Sequence, residues 1–382
     1  MKNKIILITL FLVLTWLVVA GCSHNQDINP TTTTTTLQPN PYSLFSLGNG
    51  VKGYVEALAC DSSGNLYVGG NFSEAGGNPN IKYIAKWVPS FDTWEALGIG
   101  VNYIVYALVC DKFDNLYVGG SFTEAGGNPD IKYLAKWNSS LSRWETTGIN
   151  LANSVNTLIC DSDGNLFIAG SFLPSVIFWD AVNLTWESYY QSFNGGVNAF
   201  ALDNSGNFYV GGNFSNLEGA PVGGPTFNNI AKMDFAWRTW EAVGAGVNDQ
   251  VLKLIFDKSG NIYAGGYFTQ AGGNNANHIA KWNVTTHGWE ALGLGTDWAV
   301  NALVCDPSGN IIVGGDFSKA GTVSARNLAR WDPLTSSWEA AIDLDNEVRD
   351  LVFDNSGNLY IGGYFDYAGG ILVNKVVKLV RN

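Results

Sequence analysis

The sequence has little charge, and what it has is mostly negative. Only 14% of its 382 residues are charged, and 21 lysines and arginines stand against 33 aspartates and glutamates, a net charge of −12. Nucleic-acid binding needs clustered basic side chains that neutralise phosphates, so this balance argues against a nucleic-acid partner. It also argues against adsorption on anionic lipid headgroups, and it is typical of a surface whose charge maintains solubility.

Histidine is nearly absent, at only three positions: His24, His278 and His287. So few histidines cannot supply a recurring Ser-His-Asp or Cys-His set, and none lies at a spacing typical of zinc ligands. The sequence therefore predicts no metal site, no cofactor and no catalytic residue of these kinds.

Cysteine is also scarce, and its placement argues against disulfides. Four of the five cysteines share one position of a repeat at which the other copies have leucine or phenylalanine. A position that accepts these three residue types indicates apolar packing, and equivalent points on neighbouring repeats are poorly placed for disulfide geometry. These four residues are Cys60, Cys110, Cys160 and Cys305.

The fifth cysteine follows an N-terminal apolar segment. Lys2 and Lys4 precede the run Ile5–Val19, which is short for a membrane span, and the run leads into Val19-Ala20-Gly21-Cys22. These four residues resemble the lipobox of bacterial lipoproteins. The resemblance implies a signal peptide over residues 1–21 and a lipidated Cys22 at the mature N-terminus. An ordinary signal peptide and an uncleaved anchor are the alternatives.

The resemblance to lipoproteins also implies where the protein is located. Ser23 stands where inner-membrane lipoproteins carry Asp, so we expect the outer membrane or the cell surface rather than the inner membrane. Residues 22–41 include six consecutive threonines, Thr31–Thr36, and three prolines, a composition that predicts a flexible tether. Removal of residues 1–21 would take away two lysines and leave a net charge of −14 (−12 − 2).

From residue 42 onward the sequence is a repeat. The segment Asp61-Ser-Ser-Gly-Asn-Leu-Tyr-Val-Gly-Gly-Asn-Phe72 has six relatives, and the seven copies are 42 to 54 residues apart. Each copy contains about four short apolar runs separated by Gly, Asn, Asp and Pro, as expected of strands and turns. Four strands per unit predict an all-β, seven-bladed β-propeller of four-stranded antiparallel blades over residues 42–382. The copies begin at Asp61, Asp111, Asp161, Asp203, Asp257, Asp306 and Asp354.

Paired tryptophans predict the register of the two outer strands. In five copies two tryptophans are seven residues apart, as at Trp87 and Trp94, which indicates a hairpin in which they face each other. Lys86 and Glu95 would then also lie opposite each other. We interpret these tryptophans as core residues, with sugar-stacking surfaces as the alternative.

The two ends of the chain complement each other. The seventh copy stops after its third strand, Val376–Leu379, and the missing fourth strand is present before the first copy, at Leu44–Val51. We therefore predict that an N-terminal strand completes the last blade and closes the ring.

The repeat resembles known propeller families. The apolar run that ends in Gly-Gly is similar to kelch and galactose-oxidase-type propellers. The unit Asp-x-x-Gly-Asn-Leu-Tyr-Val-Gly-Gly-x-Phe is closer to bacterial repeats of the delta-60 kind. The resemblance covers nearly all of residues 42–382 and implies a propeller that binds, without implying a reaction. The copper ligands of galactose oxidase have no recognisable counterpart here.

The turn Asp61-Ser-Ser-Gly-Asn65 resembles the start of a calcium-binding loop. Its glycine is at position four rather than six, and no glutamate follows at position twelve. We interpret it as a tight turn in which Asp bonds backbone amides, with calcium binding as the alternative.

The loops between the second and third strands break the symmetry of the repeat. The loop of copy three is reduced to Phe172-Leu-Pro174-Ser-Val176, beside a long loop at Ser215–Asn229 in copy four, which predicts a notch. These loops and the blade-to-blade turns are expected on one face, where aromatic side chains favour partner binding. Unconstrained loop variation is the alternative. The candidate ligand-binding residues are Tyr54, Tyr103, Trp298, Phe172 and Pro174.

These features favour a monomeric, envelope-anchored binding or assembly module that recognises a protein or a polysaccharide and performs no catalysis. The alternative is a glycan-active hydrolase or lyase that uses carboxylates on the loop face. Its candidates are Glu56, Glu347 and Asp350, although no spacing in the sequence indicates a glycosidase pair.

Overall fold

The structure is a computed structural model that describes residues 42–188, 192–203, 206–219, 226–234 and 239–381. The predicted signal peptide, the tether and Cys22 lie outside these residues. The regular elements of the described residues are β-strands, as expected of an all-β chain. No helix in these ranges is long and apolar enough to cross a membrane.

The strands are numbered here in chain order. The first seventeen are β1 (Tyr42–Ser46), β2 (Val51–Cys60), β3 (Leu66–Ala75), β4 (Ile84–Val88), β5 (Thr93–Glu95), β6 (Val105–Cys110), β7 (Leu116–Gly120), β8 (Leu134–Asn138), β9 (Arg143–Glu145), β10 (Val155–Cys160), β11 (Leu166–Gly170), β12 (Val176–Asp180), β13 (Thr185–Ser188), β14 (Gly196–Leu202), β15 (Phe208–Asn213), β16 (Ile230–Asp234) and β17 (Thr239–Ala242). The others are β18 (Val251–Phe256), β19 (Ile262–Gly266), β20 (Gln270–Ala271), β21 (Asn274–Asn275), β22 (Ile279–Asn283), β23 (Gly288–Ala291), β24 (Val300–Cys305), β25 (Ile311–Gly315), β26 (Lys319–Ala320), β27 (Val323–Ser324), β28 (Leu328–Asp332), β29 (Ser337–Ala340), β30 (Val348–Phe353), β31 (Leu359–Gly363), β32 (Tyr367–Ala368), β33 (Ile371–Leu372) and β34 (Val376–Arg381).

These strands form seven four-stranded antiparallel blades. Blades 1 to 4 are β2–β5, β6–β9, β10–β13 and β14–β17. Blade 5 is β18-β19-β22-β23, blade 6 is β24-β25-β28-β29, and blade 7 is β30-β31-β34-β1. The first strand of each blade packs against the first strand of the next, and β30 packs against β2, so the blades form a ring. The predicted seven-bladed propeller is confirmed.

The strand β1 is the fourth strand of blade 7. It pairs antiparallel with β34, and Leu44 lies opposite Leu379. The segment after β1 contacts blades 7 and 1: the backbone N–H of Val51 donates to the carbonyl of Asn374 (3.1 Å), and the indole of Trp94 donates to the carbonyl of Leu47 (2.9 Å). The first and last described strands of the chain therefore lie side by side.

The Gly-Gly pair, which six of the seven repeats carry (blade 3 has Ala169-Gly170), permits close packing between blades. A Cβ atom on Gly69 would lie 2.5 Å from Cγ1 of Val105 in blade 2, and a Cβ on Gly362 of blade 7 would lie 2.5 Å from Cγ1 of Val55 in blade 1. Neither distance leaves room for a carbon atom. The interface between blades 7 and 1 therefore repeats the interface between blades 1 and 2.

The tryptophan pairs have the predicted register. Trp87 is opposite Trp94, and the tryptophans of the other four pairs face each other in the same way. Lys86 is opposite Glu95, and a Lys or Arg faces a Glu in the other copies except blade 3, where Phe178 is opposite Glu187. The first tryptophan is buried in most of these copies. The second donates its indole N–H to a carbonyl of the preceding blade, as Trp94 does to Leu47. The pairs thus join neighbouring blades, consistent with the core interpretation.

The four repeat cysteines are free and half-buried. Burial is the main cause that raises the pKa of Cys60 and of Cys160 to about 12, with nearby aspartates adding to the effect. Their thiols are therefore protonated at neutral pH and unsuited to nucleophilic chemistry.

Candidate functional site

Each blade presents two kinds of loop at opposite ends of its strands. The Asp-x-x-Gly-Asn turns join the first two strands at one end. The loops between the second and third strands lie at the other end, together with the blade-to-blade turns, and we call this end the loop face.

The Asp-x-x-Gly-Asn turns are structural. Asp61 Oδ1 accepts hydrogen bonds from the backbone N–H groups of Ser63 (3.0 Å) and Asn65 (2.9 Å), and Oδ2 accepts one from the Asn65 amide (2.8 Å). Gly64 has a φ of +79°, which glycine adopts without strain. Both carboxylate oxygens are thus engaged within the turn. No cluster of three or more metal-ligating side chains occurs in the described part of the chain.

A second recurring feature, which the sequence analysis missed, is a set of Asn and Asp side chains that accept hydrogen bonds from the backbone of the loops on the loop face. Asn102 Oδ1 accepts a hydrogen bond from the backbone N–H of Thr123 (2.9 Å), 21 residues later, at the start of the next long loop. Asn194, Asn248, Asp297 and Asp345 make the same contact with the residues 21 positions after them. The signal in the sequence was an Asn or Asp one position after the residue equivalent to Val101. The role of this side chain could not be predicted, because the sequence does not show which loop it contacts.

Three of the predicted ligand-binding residues lie on the loop face with exposed side chains. The exposed fraction is 46% for Tyr54, 51% for Tyr103 and 55% for Trp298. Tyr103 and Trp298 precede the innermost strands β6 and β24 by two residues, and Tyr54 lies within β2, one residue before Val55, the equivalent of Val105 and Val300. They therefore lie at the inner edge of the ring, on one face.

Each of these aromatic side chains has a neighbour that limits its movement. The ring centroid of Tyr54 lies 4.4 Å from that of Tyr364, and Tyr103 lies 6.1 Å from Tyr83. Trp298 lies 6.2 Å from His278. Tyr83 and His278 occupy the same repeat position, the last residue of the long loop, and both have a φ of +63°. That left-handed conformation is costly for a bulky residue, and the surrounding structure must hold it.

The prediction for Phe172 was wrong. Its side chain is only 5% exposed and packs in the core of blade 3 with Val155 and Ile168. The shortened loop leaves Phe172 directly after the second strand, at the position of the buried Phe72 and Phe122, so it completes the core rather than a surface. Pro174 is half-buried after a cis peptide bond and lies apart from the three exposed aromatics in sequence and blade.

The sequence predicted a notch between blades 3 and 4. The two depressions described next lie on the loop face between other pairs of blades. One of about 800 Å³ lies between blades 4 and 5 and is lined by amide side chains, including Asn194, Asn213 and Asn228. Another of about 440 Å³ lies between blades 6 and 7 and has Trp298 on its wall.

A cavity of about 540 Å³ lies in the central channel, and all seven innermost strands line it. Its wall includes the residue at the β-bulge of each innermost strand. The side chains at this position are Glu56, Tyr106, Asn156, Asn198, Leu252, Asn301 and Arg349. The channel is therefore mostly polar, and one side of it carries charges.

The charged side of the channel is a closed network around Arg349. Its Nε lies 3.0 Å from Glu56 Oε2, and its Nη1 lies 3.8 Å from Glu347 Oε2. The hydroxyl of Tyr364 donates to the other oxygen of Glu56. Burial is the main cause that raises the pKa of Glu347. Burial alone would lower the pKa of Arg349, but Glu56, Tyr364 and Glu347 together outweigh it and the net shift of the pKa is upward.

A second ion pair crosses the channel. Lys253 Nζ of blade 5 lies 2.8 Å from Asp350 Oδ1 of blade 7, and Asp350 Oδ2 accepts a hydrogen bond from the backbone N–H of Leu58 (2.9 Å). The structure thus brings Glu56, Glu347 and Asp350 to the channel, and each carboxylate is engaged by donors of the protein itself.

Comparison with known proteins supports the fold. A family described as "Domain of unknown function (DUF5122) beta-propeller" matches residues 258–283 and 307–333, which are parts of blades 5 and 6. No curated protein shows a significant sequence match.

Similar solved structures are extracellular domains from B. thetaiotaomicron. The extracellular domain of BT4673 is described in one structure as a one component system and in another as a hybrid two component system. Each is 14% identical and covers 88% of this chain, with TM-scores of 0.60 and 0.61. The extracellular domain of BT3049, described as a hybrid two component system, is also 14% identical, covers 89% of this chain and has a TM-score of 0.59. This chain spans about two fifths of those chains, 39% and 41%. At this identity the likeness concerns the propeller fold alone.

Proposed function

We propose that the protein is a binding or sensing module of the bacterial cell envelope, which recognises a surface protein or a polysaccharide and performs no catalysis. The carrying observation is that Tyr54, Tyr103 and Trp298 are exposed on one face, each beside a ring that limits its movement. An aromatic side chain that is already ordered contributes contact area at a low entropic cost on binding.

The channel supports binding rather than catalysis. General acid–base chemistry needs a carboxylate that can reach the substrate proton. Glu56 is held by Arg349 and Tyr364, and Asp350 is held by Lys253 and the backbone of blade 1. A substrate would have to displace these contacts before either group could act.

The envelope location is supported by the N-terminal sequence and, loosely, by the similar extracellular domains. A lipidated Cys22 would attach the monomer to the outer membrane or the cell surface through the residue 22–41 tether. Mass spectrometry of the N-terminal peptide should show a mass increase of acyl chains on Cys22 in the wild type. The Cys22→Ser variant is the control, and an unmodified Cys22 in the mature protein would contradict the anchor.

Affinity capture from envelope extracts tests the binding function. Immobilised wild-type protein should retain a defined component, and Trp298→Ala and Tyr103→Ala should reduce that retention at least fivefold. Phe113→Ala is the matched control, because Phe113 is an exposed aromatic residue at the opposite end of blade 2. Equal retention by Trp298→Ala, Tyr103→Ala and Phe113→Ala would refute the assignment of binding to the loop face.

One observation favours the alternative of a glycan-active enzyme. Glu347 has a raised pKa and lies beside the same guanidinium as Glu56, and a pair of carboxyl groups in different environments can act as acid and base. If the protein released reducing ends from envelope polysaccharide and Glu347→Gln abolished this release, the enzyme function would replace the binding function.

A further inference from the structure

The exposed indole of Trp298 forms one wall of the depression between blades 6 and 7. The other exposed groups that line this depression include Asp316, Arg326 and Asp345, while Phe317 and Leu344 are buried beneath it. A flat aromatic face thus lies beside a guanidinium and three carboxylates, since Asp297 lines it as well, in an open depression of about 440 Å³.

The position of Trp298 is fixed before any ligand binds. The hydroxyl of Thr296, itself only 3% exposed, donates to the backbone carbonyl of Trp298 (2.8 Å). The indole lies against His278, whose pKa is lowered mainly by burial, so its ring is uncharged at neutral pH. A neutral ring is a stable packing partner for an indole, and the exposed part of the indole is left for a ligand.

The acidic groups of the depression are held in place by the fold. Asp345 Oδ1 accepts hydrogen bonds from the backbone N–H groups of Asp366 (2.8 Å) and Tyr367 (2.9 Å). Asp297 is engaged in the same way by Ser318 and Lys319. With Asp316, three carboxylates and one guanidinium, that of Arg326, line the depression, so its net negative charge repels an anionic ligand.

The repeat provides an internal comparison. The depression between blades 4 and 5 has the same construction, but there Asn213, Asn228 and Asn248 occupy the positions of Asp316, Arg326 and Asp345. Gly195 stands at the position of Trp298, and a Cβ there would lie 1.8 Å from a backbone oxygen. The aromatic side chain and the charged groups are therefore additions to this junction that the common fold does not require.

We propose, resting on the binding function above, that this depression is a subsite for a neutral saccharide unit of a polysaccharide. The C–H face of a pyranose ring packs on the indole of Trp298, and its hydroxyl groups donate to the carboxylates of Asp316 and Asp345 and accept from Arg326. A sugar hydroxyl can both donate and accept, so it can satisfy this mixture of acceptors and a donor. A protein partner would need about 800 Å² of surface with an apolar centre, whereas the exposed wall here is polar, and mostly charged, except for one indole.

Affinity electrophoresis of the full-length protein in non-ionic detergent tests this proposal. The probes are the neutral polysaccharides dextran, laminarin and galactomannan, with alginate and polygalacturonate as anionic counterparts. At least one neutral polysaccharide should retard the wild-type protein, and neither anionic one should. Isothermal titration with the most effective neutral probe then gives the affinities of the variants.

Trp298→Ala should weaken binding at least tenfold, and Trp298→Phe should recover part of the loss, because a smaller aromatic face remains. Asp316→Asn should weaken binding severalfold. Gln270→Ala, in the depression between blades 4 and 5, and Phe113→Ala, at the opposite face, should bind as the wild type does. Melting temperatures within about 2 °C of wild type show that each variant is folded.

No retardation by any neutral probe, retardation by the anionic probes alone, or unchanged affinity in Trp298→Ala would each overturn the saccharide subsite. If the neutral probes fail while an envelope protein is captured in a Trp298-dependent way, the saccharide class is wrong and the binding function stands. If neither experiment detects binding, both proposals fail.

Discussion

Lys253 and Asp350 form an ion pair across the central channel, with 2.8 Å between Nζ and Oδ1, although they are 97 residues apart and their strands β18 and β30 have β24 between them. At this position of the innermost strand four other blades have alanine: Ala57, Ala107, Ala199 and Ala302. The two charged exceptions in the ring therefore pair with each other.

This pair should show strong coupling in a double-mutant cycle. Asp350→Ala should lower the free energy of unfolding by about 1–3 kcal/mol, because it leaves both Lys253 and the N–H of Leu58 without their acceptor. Lys253→Ala should cost less. The double variant restores the alanine of the other blades and should be more stable than the sum of the single effects predicts. Additive effects in urea denaturation would show that the contact contributes nothing.

The strand β1 should be essential for stability. Deletion of residues 42–50 removes the pairing with β34 and the acceptor that Leu47 provides for Trp94, and it leaves an unpaired edge on blade 7. The melting temperature should fall by about 10 °C or more. A deletion of nine residues within 28–39 is the control of equal length. An unchanged melting temperature after the first deletion would mean that β1 does not stabilise the ring.

The close contact of Gly69 with Val105 should make the glycine sensitive to a single methyl group. Gly69→Ala places a carbon atom 2.5 Å from Cγ1 of Val105 and should cost about 1–3 kcal/mol. Val105→Ala in the same protein should recover part of this loss, because it removes the opposing methyl groups. Chemical denaturation of the two single variants and the double variant measures the recovery. A double variant less stable than either single one would argue against a steric cause.

The raised pKa of Glu347 predicts a pH dependence. A carboxyl group whose pKa is higher in the folded state than in the unfolded state stabilises the fold when protonated, and this contribution is lost as the pH rises from the unfolded value, about 4.3, through the folded one. The stability of the wild type relative to Glu347→Gln should therefore decrease between pH 4 and pH 7. Thermal unfolding at several pH values measures it, and the opposite slope would mean that Arg349 outweighs burial.

Much of the fold could be predicted from local spacing. The distance of seven residues between Trp87 and Trp94 indicated the hairpin register, because turn type and loop length fix the register of a hairpin. The exposure of Tyr54, Tyr103 and Trp298 was also predictable, since none of them occupies a repeat-wide apolar position.

The prediction for Phe172 failed although the sequence carried the signal against it, because Phe172 is the phenylalanine that ends the repeated unit. A shortened loop suggested an exposed residue, but the second position after Gly-Gly is buried in blades 1 and 2 as well, at Phe72 and Phe122. The repeat position, rather than the loop length, determined the burial. The recurring contact from Asn102 to Thr123 was missed because its two partners belong to elements whose proximity only the folded blade shows.

The sequence by itself determined the number of blades, the strand order and the pairing within each blade, because these depend on repeat count, alternation and turn length. Only the tertiary structure decided which charges meet in the channel and which side chains surround Trp298. Those contacts join residues of different blades, and the ring geometry and the reach of each side chain determine them. Lys253 pairs with Asp350, two blades away, because its long side chain spans the intervening alanine.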